Sequence, residues 1–378
     1  MEIYVVKPGD TINSISAAFA VPTDRLIYDN QLVYPYRIAV GQALLIRDGS
    51  ETGGTHPIIT NGYAYPFIRP WILEQTLPYL SELSIFSYGF TSQGDLIPPQ
   101  LDDTWMIALA IEYSTRPILT LTPFDAYGQF NNNLIHELVQ DNTARTNLIE
   151  QLINTVREKN YTGVDVDFEF ILAEDREAFA DFVSVLREEM NNAGYSVSAA
   201  LAPKTSANQP GLLYEGKDYR LLGEAANWVL LMTYEWGYTY GPPMAVAPLP
   251  NVRQVIEYGL TEIPAEKINM GIPNYGYDWP LPFERGVTAA RTIGNIEAVD
   301  IAIANGAEIQ YDEMVQSPYF NYTANGIVHE VWFEDARSIQ AKLALVPEYD
   351  LRGVGYWQIM KLFRANWLLV AEEFYIVK

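Results

Sequence analysis

The sequence contains no cysteine among its 378 residues, and it has only three histidines. The missing thiols exclude disulfides, thiolate zinc sites, iron–sulfur clusters and a cysteine nucleophile. His56, His136 and His329 lie too far apart along the chain to form a metal-ligand motif. No run of about 18 apolar residues occurs, so the sequence predicts no membrane-spanning helix. We therefore expect no metal site, no cofactor and no membrane partner.

Positive charge is also scarce. The chain has 24 Lys and Arg against 47 Asp and Glu, a net charge of −23, which would repel nucleic acid. Charged residues make up only 19% of the chain and hydrophobic residues 49%, so the acidity does not come from a disordered tail. The first residues lack a basic segment followed by a long apolar one, which predicts no ordinary export signal. We expect a compact monomer.

A polar, glycine-rich segment at residues 49–56 predicts a linker between two domains, 1–48 and 57–378. The first domain begins with a strand-like segment at 3–6 and ends with another at 43–46. Apolar residues at helical spacing lie between them. The pattern predicts a small strand–helix–helix–strand fold, with Asp10 or Thr11 as the N-cap of the first helix.

Residues 2–47 resemble a LysM domain. The resemblance rests on these residues: Tyr4, Val6, Lys7, Pro8, Gly9, Asp10, Thr11, Ile12, Ile15, Asn30, Val40, Gly41, Gln42, Leu44 and Ile46. A LysM domain implies binding of glycans that contain N-acetylglucosamine. The resemblance places the sugar groove between the loop after the first strand and the loop after Asn30, with these candidate residues: Gly9, Asp10, Thr11, Ile12 and Leu32. Asn13 stands where an aromatic residue is frequent in the family, which implies weaker binding.

The second domain alternates short apolar strands with helical stretches, the rhythm of repeated βα units. Eight strands are predicted: 58–65, 83–90, 116–122, 163–170, 196–202, 227–234, 267–273 and 352–358. Eight such units predict an α/β fold, a closed (β/α)8 TIM barrel. The gap at 274–351 is too long for one crossover, so we expect a small α+β insertion at about 283–328 on the barrel's upper rim.

The predicted fourth barrel strand carries three acids at every second position: Asp165, Asp167 and Glu169. On a strand they share one face, and in a barrel they point inward and approach the C-terminal end, where barrel active sites lie. Carboxyl groups about 6.6 Å apart in a poorly solvated interior cannot all ionise at low cost. At least one should hold a proton near neutrality, which suits a general acid for glycosidic bond cleavage. Glu169, nearest the mouth, is the candidate acid.

Two other interpretations of these acids remain. An ordinary strand with an acidic solvent face would show the same alternation, but barrel strands are buried on both faces. A divalent-cation site would also use carboxylates, but no histidine lies nearby in sequence.

The D-x-D-x-E string resembles the signature strand of family 18 glycoside hydrolases. Further matching segments are 62–65, 232–235, 270–276 and Trp357. The resemblance implies a substrate-assisted mechanism, in which the N-acetyl carbonyl of the sugar attacks while Glu169 protonates the leaving oxygen. Asp167 would orient the acetamide, Asp165 would share charge with Asp167, and Tyr234 would hydrogen-bond the acetamide oxygen. The substrate-binding candidates are Tyr65, Met232, Glu235, Asn274, Tyr275 and Trp357. Glu235 replaces the family's usual Asp.

The combination of a LysM domain with the segments 232–238 and 332–338 resembles the spore cortex-lytic N-acetylglucosaminidases of endospore-forming bacteria. This resemblance implies retaining cleavage after N-acetylglucosamine in peptidoglycan, in a protein placed on the spore coat or cortex surface, or otherwise on the cell wall. A chitinase, an enzyme acting on protein-linked glycans, and a non-catalytic glycan-binding coat protein are the alternatives.

Overall fold

The computed structural model describes residues 1–50, 53–125 and 127–378. The predicted linker 49–56 therefore lies in part outside the described residues. The helices are α1 Ile12–Phe19, α2 Thr23–Asp29, α3 Pro70–Thr76, α4 Thr104–Glu112, α5 Asn133–Gln140, α6 Asn142–Lys159, α7 Arg176–Asn192, α8 Tyr219–Ala225, α9 Leu249–Glu262, α10 Asn295–Asn305, α11 Ala336–Leu343, α12 Leu345–Glu348 and α13 Arg364–Glu373.

The strands fall into three sheets. Their bounds are β1 Glu2–Val5, β2 Ala43–Ile46, β3 His56–Ala64, β4 Glu82–Phe90, β5 Leu96–Ile97, β6 Arg116–Leu121, β7 Gly163–Val166, β8 Ser196–Leu201, β9 Trp228–Leu231, β10 Ile268–Pro273, β11 Gly276–Leu281, β12 Arg291–Ile293, β13 Gln310–Asp312, β14 Ser317–Ala324, β15 Ile327–Trp332, β16 Gly353–Trp357 and β17 Phe374–Ile376.

The N-terminal domain has the predicted strand–helix–helix–strand order. β1 and β2 pair antiparallel, and α1 and α2 pack on them around a small apolar core. Thr11 is the N-cap of α1, because its side-chain oxygen accepts a hydrogen bond of 3.1 Å from the Ser14 amide. Asp10 instead accepts from the Tyr4 hydroxyl at 2.7 Å and from the Lys7 amide at 2.8 Å. Thr11, one of the two predicted caps, is therefore confirmed.

The second domain is a closed parallel barrel, which confirms the predicted (β/α)8 fold. The ring runs β3, β4, β6, β7, β8, β9, β10, β16 and back to β3. The helical spacing in 176–192 forms α7, whose apolar side chains are buried against the strands. Closure matters for the site, because residues on opposite strands then face each other across one interior.

The expected insertion is a five-stranded antiparallel sheet in the order β12, β11, β15, β14, β13, with α10 packed on it. The sheet begins at Gly276 and ends at Trp332, so it extends on both sides of the expected 283–328. Its apolar core includes Ala298 and Ala302 of α10 and Phe320 of β14. The insertion leaves the barrel directly after β10 and returns through α11.

Candidate active site

The three acids of the fourth barrel strand lie on the inner side of its backbone. The hydrogen-bonded part of β7 ends at Val166, and residues 167–170 continue past it without ladder pairing. Phe168 points outward and packs on α7, with ring centroids 5.7 Å from Phe179 and 6.2 Å from Phe182. Because successive side chains alternate, Asp167 and Glu169 point the other way, toward the interior.

Asp165, deepest of the three, is held by two hydroxyl groups. Tyr63 of β3 donates to its Oδ2 at 2.8 Å, and Ser198 of β8 donates to its Oδ1 at 2.6 Å. Burial raises the pKa of Asp165, while these two hydrogen bonds oppose the rise. The two donors orient the carboxyl group from strands on different sides of the barrel.

Asp167 has a different environment. Burial raises the pKa of Asp167 well above its usual range, and the charges of Glu169 and Asp165 raise it further, while Lys217 acts in the opposite direction. Among the described residues, Oδ1 of Asp167 has no hydrogen-bond partner. Asp167 is therefore the member of the set most disposed to hold a proton near neutrality, and it keeps one oxygen available to a ligand.

Asp167 and Glu169 border a cavity of about 320 Å³ at the C-terminal end of the barrel, which we call the catalytic cavity. Half-buried Glu169 lies on its wall. The lining side chains come from five barrel strands and the loops that follow them: Tyr63, Asp167, Glu169, Ala200, Pro203, Leu213, Tyr214, Leu230, Met232, Tyr234, Glu235, Trp236 and Trp357. A sugar ring bound there would meet an acid, a phenol and aromatic faces at once.

Tyr234 and Glu235 follow the end of β9. Burial and the charges of Asp167 and Glu169 raise the pKa of Tyr234 well above its usual range, so its hydroxyl stays protonated and can donate a hydrogen bond. Glu235 has a backbone φ of +68°, a left-handed conformation that is uncommon outside glycine and clusters at functional sites. Its carboxylate accepts from the hydroxyls of Tyr275 and Tyr277.

Aromatic side chains form one side of the catalytic cavity. The Trp357 ring lies 5.9 Å from Tyr63 and 5.1 Å from Phe86, measured between centroids. Beyond it, Tyr65 stacks on Phe67 at 5.0 Å and borders a second cavity of about 360 Å³. We call this second cavity the aromatic groove; its rings are Tyr65, Phe67, Phe86 and Phe124. Stacked rings of this kind suit the apolar faces of sugars.

The structure brings most of the predicted site residues together. Met232, Glu235 and Trp357 line the catalytic cavity, Tyr65 lines the aromatic groove, and Tyr275 reaches the cavity through its bond to Glu235. It does not bring Asn274 into the cavity. The Asn274 amide donates to the carbonyls of Gln358 at 3.0 Å and Lys361 at 2.9 Å, so it holds the loop after β16.

Sequence reasoning missed Lys217, Trp236 and the rings of Phe86 and Phe124. Lys217 is fully buried, and its ammonium donates to the Ala200 carbonyl at 3.3 Å. Burial lowers the pKa of Lys217 to about 8, against the opposing charges of Glu169 and Asp167. Lys217, Phe86 and Phe124 do not stand out in the sequence, because single lysines and phenylalanines of this kind occur in most proteins without a functional role. Only Trp236, which lies within the segment 232–238, had a signal that could have singled it out.

In the N-terminal domain, Asp10, Thr11 and Ile12 line a separate groove, while Gly9 and Leu32 do not. Leu32 packs against the small core of that domain. Within residues 1–50, 53–125 and 127–378, no group of three His, Asp or Glu side chains is arranged to hold a metal ion. No helix in those ranges is long and apolar enough to cross a bilayer.

Two family profiles match this sequence. That of "Glycosyl hydrolases family 18" matches residues 128–361, and that of the LysM domain matches residues 4–47. The cortical fragment-lytic enzyme of Bacillus subtilis (strain 168) is 36% identical, with 100% of this chain and 99% of that protein covered. Among solved structures, the spore cortex-lytic enzyme SleL of Bacillus megaterium QM B1551 has a TM-score of 0.92 and 32% identity, covering 100% of this chain and 98% of that one. SleL of Bacillus cereus has a TM-score of 0.82 and 35% identity, covering 100% and 87%.

Proposed function

The chain belongs to glycosyl hydrolase family 18 and carries a LysM domain, and on that basis we propose that it cleaves the β-1,4 bond after N-acetylglucosamine in peptidoglycan. The observation that carries the proposal is the group of Asp167, Glu169 and Tyr234 at one cavity, with Asp165 buried beneath them and the pKa of Asp167 raised well above its usual range. This group provides an acid, a shared proton and a hydrogen-bond donor around one bound sugar.

The proposed reaction retains the configuration at the anomeric carbon. Glu169 protonates the oxygen of the leaving sugar, and the carbonyl oxygen of the substrate's own N-acetyl group attacks the anomeric carbon. Glu169, now ionised, then removes a proton from the water that opens the cyclic intermediate. No side chain of the protein forms a bond to the sugar.

Asp167 and Tyr234 hold the acetamide in this scheme. The Asp167 oxygen that lacks a partner within the described residues accepts a hydrogen bond from the acetamide N–H, which keeps the carbonyl directed at the anomeric carbon. The Tyr234 hydroxyl donates to the acetamide oxygen as charge develops during attack. Asp165, held by Tyr63 and Ser198, stabilises the protonated form of Asp167 through its own charge.

The substrate class comes from the relatives. The B. subtilis relative is named a cortical fragment-lytic enzyme and the two SleL proteins are spore cortex-lytic enzymes. We propose that cortex fragments are the substrate here too, and that the protein works at the spore coat or cortex surface. Residues 1–48 would bind the glycan and residues 57–378 would cleave it.

Mass spectrometry of the products tests this proposal. Wild type, Glu169→Gln and Glu174→Gln are incubated with spore cortex fragments and, in parallel, with chitin oligomers. Glu174 is exposed and lies five residues further along the chain, so Glu174→Gln controls for the replacement of a glutamate by a glutamine near the site. We expect wild type and Glu174→Gln to release cortex fragments with reducing N-acetylglucosamine ends, and Glu169→Gln to lose at least about 10²-fold in rate.

The outcomes separate the alternatives. Cleavage of the chitin oligomers alone would identify chitin, rather than cortex peptidoglycan, as the substrate. Inactivity on both substrates would favour a glycan-binding protein without catalysis. Wild-type turnover by Glu169→Gln would show that Glu169 is not the acid. The retaining course is tested separately by proton NMR of the first-formed anomer, since an initial α-product would contradict it.

A further inference from the structure

A groove lies between the LysM domain and the insertion, away from the catalytic cavity. It encloses about 950 Å³. One wall is LysM backbone and side chains, in the loop at 8–13 and the segment 35–40. The other wall is the C-terminal end of α10 and the residues after it, at 302–308, which belong to the insertion. The groove that the LysM resemblance assigns to sugar is therefore closed on one side by the catalytic domain.

The two walls are joined by direct contacts beside the groove. The Ile309 amide donates to the Val40 carbonyl at 2.9 Å, which ties the chain after α10 to the LysM segment. Ala39 is buried in the apolar core of the insertion, next to Ala302 and Phe320. Arg337 at the start of α11 donates to the Gly41 carbonyl at 3.2 Å. The LysM wall is thus held against the insertion by hydrogen bonds and apolar packing together.

A second set of contacts fixes the LysM domain to the barrel. The side-chain amide of Gln31 donates to the Leu362 carbonyl at 3.1 Å and accepts from the Arg364 amide at 2.6 Å. The Arg364 guanidinium lies 3.9 Å above the centre of the Tyr28 ring and donates to the Tyr28 carbonyl at 2.7 Å. With attachments on two sides, the LysM domain cannot turn away from the insertion without breaking several bonds.

Small side chains keep the insertion wall of the groove open. Gly306, directly after α10, has a φ of +60°, the left-handed conformation of a helix C-cap. Ala302 and Ala307 lie on the same wall. A larger side chain at Ala307 would occupy space that a ligand needs, whereas Ala304, exposed near the end of α10, does not line the groove.

The charges of the groove favour a neutral ligand. Three carboxylates line it, from Asp10, Asp24 and Glu308, against one cation, Arg37. A glycan that carries its own carboxylates would be repelled, whereas neutral N-acetylated sugars would find hydrogen-bonding groups on both walls. The exposed ring of Tyr36 provides a face for a sugar to stack on.

We infer that this groove is a composite glycan-binding site, in which the LysM domain and the insertion grip a neutral N-acetylated glycan from both sides. The inference rests on the proposed function only in taking an N-acetylated glycan as the ligand. It makes the insertion a specificity element of the LysM site. The bound glycan then has one fixed position relative to the catalytic cavity. A glycan held by a flexibly tethered domain would instead take many positions.

Calorimetric titration of the full chain with the hexamer of N-acetylglucosamine tests the inference. All variants carry Glu169→Gln so that the ligand is not cleaved, and each titration is fitted with two sites because the catalytic cavity also binds N-acetylated glycans. Ala307→Trp changes the insertion wall, Tyr36→Ala changes the LysM wall, and Ala304→Trp is the control for added bulk on α10. We expect the first two to weaken binding at least about tenfold and the control to change it less than about twofold. Thermal unfolding checks each variant, and Ala307→Leu replaces Ala307→Trp if the latter does not fold.

Each outcome decides something different. Weaker binding by Tyr36→Ala with no change for Ala307→Trp or Ala307→Leu would overturn the composite site and leave the proposed LysM function standing. No change for either wall would overturn both the composite site and the LysM part of the proposed function, while cortex cleavage is judged separately by its products. A cortex fragment of similar length that carries muramic carboxylates should bind more weakly than the N-acetylglucosamine hexamer. Equal binding would overturn the inference that the groove prefers a neutral ligand.

Discussion

Tyr63 donates a hydrogen bond of 2.8 Å to Asp165, and both side chains are almost fully buried. The bond joins β3 to β7, the first and fourth strands of the barrel, across its interior. It gives Asp165 a partner that Asp167, two residues further on, lacks among the described residues. The two carboxyl groups are alike in sequence, but their hydrogen bonding in the folded protein differs.

Asp167→Asn should make the protein more stable at neutral pH and inactive. Below about pH 4 the carboxyl is protonated in both the folded and the unfolded chain, so wild type and variant should then be similar in stability. As the pH rises, the unfolded chain releases this proton while the folded chain, with its raised pKa, retains it. Wild type therefore loses stability between the two pKa values, and the variant does not.

Urea unfolding of both proteins at pH 4 and pH 7 measures this difference. Asp165→Asn is the matched control, because it makes the same change two residues earlier, where Tyr63 and Ser198 already satisfy the carboxylate. We expect Asp165→Asn to lose stability at pH 7, because an amide nitrogen would then face one of the two donating hydroxyls, a cost that outweighs the gain from removing a carboxyl whose pKa burial raises. If Asp167→Asn lost stability at pH 7 as well, the assignment of the proton to Asp167 would be wrong.

Tyr234→Phe should lower kcat by about 10²- to 10³-fold with a small change in KM, because a donor to developing charge acts mainly in the transition state. The raised pKa of Tyr234 keeps its hydroxyl protonated, so the loss should be similar across the active pH range. Steady-state kinetics on a defined cortex oligomer measure it. Tyr238→Phe, at an exposed tyrosine four residues on, serves as the control. A loss confined to KM would show that Tyr234 only binds the ground state.

Lys217→Met should shift the limb of the pH–rate profile that Asp167 sets to higher pH. Burial raises the pKa of Asp167, and the charge of the Lys217 ammonium opposes that rise. Removing this charge therefore raises the pKa of Asp167 further. The profile of kcat/KM between about pH 4 and pH 9 measures the shift.

Lys204→Met is the control for this substitution. Lys204 is also buried, but its ammonium donates to three backbone carbonyls of the same loop: Ala207, Tyr214 and Lys217. We expect its replacement to lower stability and leave the position of that limb unchanged. An unshifted profile for Lys217→Met would mean that its charge does not affect Asp167.

Lys342→Met should destabilise the fold by about 3–5 kcal/mol, because it leaves a buried carboxylate without its counter-ion. The Lys342 ammonium lies 2.8 Å from Oε2 of Glu334, and both side chains are fully buried where the insertion returns to the barrel. Burial already raises the pKa of Glu334, and Lys342 opposes that rise. Without Lys342 the carboxyl takes up a proton more readily, so the deficit should shrink as the pH falls.

Chemical denaturation at pH 7 and pH 5 checks this, with the double variant Glu334→Gln, Lys342→Met alongside. The double variant removes the charge altogether and should recover part of the lost stability. A double variant as unstable as the single one would show that packing, rather than charge, sets the cost.

The period-two pattern in 163–170 was sufficient to predict where the acids point, because alternation along a strand is a local property of the backbone. The rhythm of eight βα units likewise predicted the closed barrel, since short parallel strands with helical crossovers leave few other arrangements. The insertion was less predictable. Only two residues separate the end of β10 from the start of β11, so the sequence pattern predicts a single strand followed by a long gap.

The sequence alone was therefore enough to predict the elements of the LysM domain and of the barrel, the inward face of the acids and the family. The folded structure was needed to show which carboxyl has partners, because Tyr63 and Ser198 come from strands far away in sequence. The same holds for Lys217, which loop packing buries near the acids, and for the groove that joins 35–40 to 302–308. Such contacts depend on where distant segments meet in space, and no local pattern of apolar and polar residues records that.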